Sequence, residues 1–322
     1  MISQPLITLA IPTYNRRQFV TESIEAITSQ LGDFAEVVVC DNASEDGTFT
    51  ALTEFSRNDP RIRVFQNPAN LGPDRNTLRC LREARGRYIH FLADDDILLP
   101  GALLRMREFL SVNGDFSVLH INFVNFKGAF ADAALSVPHH DARDIIEIEP
   151  NEFVRRLSVH ATLYSATVLR REEALSVPRV ERFIGSWLLQ SHLAVACVCR
   201  GSRFGLIGTP GVAVRGGNSG GYSVYRIFGQ EWKNVLFGTG IENGLTTATA
   251  VSVYDHTIRT FMRSWAVQLR THDTKYESSG IGALLRSTWD YPSAWIYVYP
   301  FLLAPAPLIR VVKAIYDRVR ER

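Results

Sequence analysis

A chain of 322 residues with 46% hydrophobic and 21% charged residues has the balance of an ordinary globular protein, long enough for one large domain or two modest ones. Its formal charge of +2, with no basic run interleaved with aromatics before the last residues, argues against a nucleic-acid partner. Cys40, Cys80, Cys197 and Cys199 lie in apolar segments without a C-x-x-C pair and read as reduced core residues of a cytoplasmic protein.

The first residues enter a strand pattern directly, without a basic region and long apolar stretch, so no secretory signal is expected. Residues 6–11 are apolar and bounded by Pro5 and Pro12, which predicts a buried strand. The loop Pro12-Thr13-Tyr14-Asn15-Arg16 follows, then Phe19, Val20, Ile24, Ile27 and Leu31 at helical spacing. The pattern repeats with a strand at 37–40, the polar loop 41–48 and a helix carrying Phe49, Leu52 and Phe55. A third strand at 62–65 leads through 66–73 into a helix over 74–84, and a fourth is predicted at 88–92. Strands alternating with helices in this way predict an α/β fold with a mostly parallel sheet covered on both faces.

Directly after the fourth strand stand Asp94, Asp95 and Asp96, followed by Ile97-Leu98-Leu99-Pro100. Adjacent carboxylates repel one another where water is scarce, so a cation is expected beside them. Hard oxygen ligands suit Mg²⁺ or Mn²⁺, which take one or two carboxylates and complete their shell with water and phosphate. Alternatively the triplet caps a helix that Pro100 starts. In a parallel sheet, ligands bind at the carboxyl ends of the strands. The loops at 13–16, 41–46 and 94–96 all fall there, which favours the metal. No G-x-G-x-x-G follows the first strand and no G-x-x-x-x-G-K-[ST] occurs, so a glycine-rich phosphate cradle is not expected.

Ile11-Pro12-Thr13-Tyr14-Asn15-Arg16, then residues 38–48, then Asn70-Leu71-Gly72, then residues 88–96, in that order, resemble family 2 of the glycosyltransferases. The resemblance implies the GT-A fold: a single Rossmann-like, mostly parallel sheet with helices on both faces, here with a C-terminal helical subdomain. It further implies a nucleotide-sugar donor, Mn²⁺ or Mg²⁺, and inversion at the anomeric carbon. On the matching positions, Pro12, Thr13, Tyr14, Asn15 and Arg16 would lie against the nucleotide, with Tyr14 stacking on the base. Asp41 would accept a hydrogen bond from the base, and Asn42, Ser44 and Asp46 would line its pocket. Asp94 would sit near ribose or metal, and Asp95 or Asp96 would bind the metal. Many members carry Asp where this chain has Ala93, which leaves the choice between those two open. Arg75 and Arg79 either reach phosphate from the third helix or lie on its solvated face.

Beyond residue 115 the resemblance fades. Residues 116–126 predict another strand, 132–149 a polar loop, and 160–171 a strand ending in a basic turn. An apolar helix is expected through Leu188, Leu189, Leu193, Val195 and Val198. An inverting transfer needs a general base. Family members place an acid just before a helix at this point, which makes Glu181 the candidate, with Glu172, Glu173 and Asp144 behind it. The glycine-rich run 214–222 reads either as a lid or as a linker to helices over 224–237 and 251–269. The domain reading is 1–215 for the catalytic domain, split at 112/113 into nucleotide and acceptor halves, and 216–322 for the helical region.

Residues 291–309 are apolar, aromatic and broken by prolines, and Arg310, Lys313, Arg318, Arg320 and Arg322 follow. Such a segment predicts a peripheral membrane contact on the inner face of the cytoplasmic membrane rather than a span. A lipid-linked glycan acceptor, as in O-antigen or capsule synthesis, would follow; packing on the protein itself or in a homo-oligomer is the competing reading. The alternatives to a transferase are a sugar nucleotidyltransferase and an inactive glycan-binding module of the same fold.

Overall fold

The computed structural model describes residues 4–217, 222–271, 280–305 and 307–310. The chain forms two compact units, residues 1–156 with 160–216, and residues 157–159 with 217–322.

The first unit is built on one sheet of order β3-β2-β1-β4-β8-β6-β9-β5, with β7 on β9. Its strands are β1 (Ile7–Thr13), β2 (Ala35–Asp41), β3 (Ile62–Gln66), β4 (Tyr88–Phe91), β5 (Ile97–Leu98), β6 (Val118–Phe126), β7 (Ile145–Glu147), β8 (Thr167–Arg170) and β9 (Phe204–Arg215). The pairings β3-β2, β2-β1 and β1-β4 are parallel, as the alternation of strand and helix requires. Beyond β4 the sheet is mixed: β8 is antiparallel to β4 and β6, and β5 and β7 are antiparallel to β9. Among the described residues of this part β6-β9 alone restores parallel pairing, with a register shift between Ile121 and Phe123.

Helices α1 (Arg17–Thr28), α2 (Thr48–Asn58), α3 (Pro73–Glu83), α4 (Ala102–Asn113), α5 (Pro150–Leu157), α6 (Arg171–Leu175) and α7 (Leu189–Arg200) accompany these strands. On one face Ile7, Leu9, Ile11, Val37 and Val39 share a core with Val20, Ile24 and Ile27 of α1 and Leu103 and Met106 of α4. The alternate residues Thr8, Ala10, Val38 and Cys40 are equally buried, and α3 packs on β1 and β2. Strands buried on both faces explain the near-continuous apolar runs in the sequence. Gly86 is required by close approach: a Cβ there would lie 2.5 Å from the Thr8 backbone nitrogen.

Two expectations are corrected. Residues 160–171 are a strand only from Thr167 to Arg170; before it come single-turn helices at Ser158–Thr162 and Tyr164–Ala166. Within 132–149, Ile145–Glu147 joins the sheet as β7.

In the second unit, two π-helical stretches, Tyr225–Glu231 and Asn234–Gly240, precede α8 (Thr247–Thr257). A third, Ile258–Met262, leads into α9 (Arg263–Thr271), and α10 (Ile281–Thr288), α11 (Pro292–Tyr297) and α12 (Tyr299–Leu303) complete it. Trp232 is fully buried and donates to Thr257 Oγ1 at 3.2 Å; Tyr254 donates to the Gly229 carbonyl at 2.7 Å. No helix among the described residues is long and apolar enough to cross a membrane. Residues 218–221 of the glycine-rich run, and Lys313, Arg318, Arg320 and Arg322 of the tail, lie outside the described residues.

Candidate nucleotide and cation site

Strand register brings the three polar loops to one sheet edge. Thr13 ends β1 opposite Asp41, which ends β2, and Asp41 stands opposite Gln66 at the end of β3. On the other side Ala10 pairs with Phe91, so three residues further along each chain Thr13 meets Asp94, and its hydroxyl donates to Asp94 Oδ2 at 2.7 Å.

Asp41 is fully buried. Its Oδ2 accepts from the Ser44 amide and from Gln66 Nε2, each at 3.1 Å, whereas Oδ1 is buried without a hydrogen-bond partner. A buried acceptor left open is costly, so this oxygen is suited to an N–H brought by a ligand. Asn42, in contrast, spends its amide internally: Oδ1 accepts from Asn67 Nδ2 and the Leu71 amide, and Nδ2 donates to Asn70 Oδ1. It pins Asn70-Leu71-Gly72 to the end of β2.

The other loop residues tie the first two loops together. The Asn15 amide donates to Ser44 Oγ at 2.8 Å and Asn15 Oδ1 accepts from the Glu45 amide at 2.8 Å. Asp46 accepts from the Thr48 amide at the start of α2 and from the Arg17 amide at the start of α1. Asn15 and Ala43 adopt φ of 51° and 63°, a left-handed conformation sustained by these bonds. Pro12 is half-buried, while Tyr14, 41% exposed, projects at the rim, and Arg75 on α3 is exposed.

The acidic triplet is divided among different partners. Asp95 Oδ2 pairs with Arg16 Nη1 at 2.8 Å. Asp96 accepts from Ser165 Oγ at 2.6 Å and from the Arg215 amide at 2.8 Å. Ser165 is itself fixed, accepting from the Ala93 amide at 2.9 Å, with its carbonyl bonded to His90 Nε2 at 2.7 Å. Burial and the charge of Asp95 push Asp94 up to about 7 and Asp96 up to about 8; burial also raises Asp95, against the pull of Arg16. These carboxylates are short of positive charge.

Ser165, Arg215 and His90 were not among the expected site residues. Ser165 and Arg215 bond to Asp96 from 69 and 119 residues away in sequence, where no local motif marks them; His90 stands within the motif 88–96 but is bonded to Ser165 rather than to the triplet. Glu181 lies on a single-turn helix, Val180–Phe183, where its carboxylate pairs with Arg82 at 2.8 Å and both side chains are more than half exposed. Gly185, Trp187 and Leu189, just beyond, donate their amides to Asp74, which is buried at the start of α3.

The model for glycosyl transferase family 2 matches residues 8–172, just over half of the chain and the stretch that holds the strand ends and the triplet. The chain belongs to glycosyl transferase family 2. Among curated members it is 34% identical over 114 residues to abequosyltransferase RfbV of Salmonella typhimurium, covering 34% of each chain. It is 35% identical over 105 residues to the GalNAc(5)-diNAcBac-PP-undecaprenol beta-1,3-glucosyltransferase of Campylobacter jejuni, covering 32% of this chain and 34% of that one. The chain thus spans about a third of the length of these relatives. The GT-A fold expected for the family is seen in a solved structure of S. aureus TarS in complex with UDP-GlcNAc, with TM-score 0.65 at 18% identity over 96% of this chain and 87% of that one. Mannosyltransferase PcManGT of Pyrobaculum calidifontis, in complex with GDP-Man and Mn²⁺, aligns with TM-score 0.52 at 18% identity over 98% and 88%.

Members of this family are typically metal-dependent. Among the described residues there is no cluster of three metal-ligating side chains. The donor set nevertheless fits Mg²⁺ or Mn²⁺: hard carboxylate oxygens, two of them pushed toward protonation by burial and mutual repulsion, and a coordination habit that asks only one or two carboxylates of the protein.

Proposed function

We propose that this family 2 member transfers a sugar, with inversion, from a nucleotide-diphosphate sugar to a hydroxyl of a glycan. The carrying observation is the open, buried Oδ1 of Asp41 on the same sheet edge as the buried triplet. That edge offers an acceptor for a base N–H at one end and an acidic seat for a cation at the other. The complexes named for the structural neighbours, UDP-GlcNAc with TarS and GDP-Man with Mn²⁺ for PcManGT, support the same ligand class.

Asp95 and Asp96 would hold the divalent ion, which supplies charge stabilisation to the departing diphosphate. Thr13 orients Asp94 toward the nucleotide, and Ser165 with the Arg215 amide orients Asp96. The acceptor oxygen forms a bond to the anomeric carbon as the bond from that carbon to the diphosphate oxygen breaks. Its proton passes to a carboxylate, for which Glu181 is the candidate once its pair with Arg82 opens. The exposed Tyr14 would stack on the base, and Arg75 is free to approach phosphate from α3.

The acceptor is proposed to be lipid-linked, which agrees with the undecaprenol-borne substrate named for the Campylobacter jejuni relative, and the chain to act at the inner face of the cytoplasmic membrane. Trp289, Trp295, Ile296, Leu303 and Leu308 are 46% to 81% exposed, an apolar surface ahead of the basic tail. Replacing Trp289, Trp295 and Ile296 with serine should lower co-sedimentation with anionic vesicles; unchanged recovery would remove the membrane part of the proposal.

Thermal unfolding with a panel of nucleoside diphosphates, with and without Mn²⁺, tests the main reading. One nucleotide should raise Tm only with Mn²⁺, and Asp95→Ala should abolish the shift. Absence of a metal-dependent shift with every nucleotide would overturn the reading.

A further inference from the structure

Asp95 is met from two ends by two arginines, one buried and one part-exposed. Arg215 closes β9 and is buried. Its Nε donates to the Asp95 carbonyl at 2.9 Å, Nη1 to the Gly128 carbonyl, and Nη2 pairs with Glu22 of α1. Its guanidinium lies 5.0 Å from the Phe19 ring centroid and 4.5 Å from that of Phe126. Planar stacking and a spread fork of donors fix a guanidinium in one place, and Glu22 balances its charge.

Arg16 stands in the loop between β1 and α1. Its side chain is 24% exposed against 6% for Arg215, and its guanidinium meets the same Phe19 ring at 5.7 Å, near the outer limit of a useful cation–π contact. It pairs with the carboxylate of Asp95. One arginine therefore holds the backbone of the site, and the other occupies its charge.

Resting on the reading of the triplet as a cation seat, we infer that Arg16 is an internal placeholder for the divalent ion. Its guanidinium neutralises Asp95 in the free protein and must be displaced when the ion binds, whereas Arg215 is the fixed cation that keeps the triplet in shape. The displaced guanidinium gains a new partner when a diphosphate arrives with the ion, since phosphate oxygens match its donors. Arg16 thus makes the ion alone a weak ligand and ties its binding to that of the nucleotide.

The test is the affinity for Mn²⁺ alone, followed at pH 8.0 by the loss of the free-ion electron paramagnetic resonance signal, for the full chain and for R16M, R16K and R215M. An opposite charge beside a carboxylate commonly shifts its proton affinity by a factor of about ten or more. R16M should therefore bind Mn²⁺ about tenfold more tightly than the parent protein. R16K, which keeps the charge, should stay near the parent, and R215M should bind more weakly. A role for Arg16 in stability alone would give R16M equal or weaker binding, and that result overturns the inference. R16M against R16K decides the matter even where R215M does not fold. Should the parent protein take up Mn²⁺ neither alone nor with any nucleoside diphosphate, and R16M take up none, the cation reading itself fails. Uptake by the parent only with nucleotide, and by R16M without it, supports the inference.

Discussion

His90 allows the coupling between core and site to be measured. It is fully buried on β4, its Nε2 donates to the Ser165 carbonyl at 2.7 Å, and its Nδ1 has no hydrogen-bond partner. Charging the ring would place a proton on Nδ1 with no acceptor in a dry interior; burial accordingly lowers its pKa to about 4, partly offset by the bond to Ser165. In the unfolded chain the ring titrates near 6.5. The sign follows: below 6.5 the unfolded state binds the proton and the folded state does not, so stability is lost as pH falls from 6.5 toward 4. At pH 5 this titration shifts the equilibrium toward the unfolded form by a factor of about 30, or roughly 2 kcal/mol. His90→Gln keeps a donor toward Ser165 and removes the titration. Denaturant unfolding at pH 7 and pH 5 should show the parent protein losing about 2 kcal/mol more than the variant over that interval. Groups common to both proteins, such as His192, lowered by burial to about 3, cancel in the comparison. Equal losses in the two proteins would refute the buried, neutral ring.

Asp74→Ala should cost about 2 kcal/mol in denaturant unfolding, because it removes charge-assisted, part-buried bonds to the amides of Gly185 and Trp187 at 2.7 and 3.0 Å. Asp74→Asn, which can still accept, should cost less than half of that; a near-neutral alanine variant would show that the loop is not held this way. The raised values of Asp94, about 7, and Asp96, about 8, run opposite in sign to the histidine. The folded state holds protons that the unfolded state releases, so stability is present at low pH and lost as pH rises through 7 to 8. With chelator present, the unfolding free energy of the parent protein relative to the Asp94→Asn, Asp96→Asn double variant, in which the histidines cancel, should rise by about 3 kcal/mol on going from pH 8.5 to 6.5, and Mn²⁺ should remove that rise by stabilising the ionised site. A flat profile with chelator would contradict the buried, cation-deficient triplet.

The first four strands were legible because β1, β2 and β4 are buried on both faces, β3 carries a short apolar run at the sheet edge, and a helix with its own apolar stripe separates each from the next, so local pattern and tertiary environment agree. The same holds for the polar loops at their ends, which the parallel topology gathers without further information. Strand β9 was not legible. Gly205, Gly208, Pro210 and Gly211 interrupt any period-2 apolar pattern there. In the structure these glycines answer to neighbours: a Cβ at Gly205 would meet Leu119 at 2.6 Å, at Gly208 the Arg143 carbonyl oxygen at 2.4 Å, and at Gly211 Ile121 at 2.6 Å. What made the segment look irregular is the close packing that makes it a strand. Arg215 was hidden for the same reason, since it reads as the start of a glycine-rich run and is the last residue of β9.

The register also explains why three like charges can stand together. Parallel pairing of β1 with β4 carries Asp94 to Thr13, whereas antiparallel pairing of β5 with β9 sets Ile97 against Ala213 and so brings the Arg215 amide to Asp96. The triplet lies in the chain between the parallel and mixed parts of the sheet: the carboxylates of Asp94 and Asp95 are met from the end of β1 and the loop after it, that of Asp96 from the mixed part. Asp95, between them, has its backbone claimed by Arg215 and its carboxylate by Arg16. The carboxylates at either side are each oriented by a neutral hydroxyl, from Thr13 and Ser165, which neutralises nothing. A sheet edge assembled this way separates orientation from neutralisation, and leaves charge balance as the one function of the site that an incoming cation can take over.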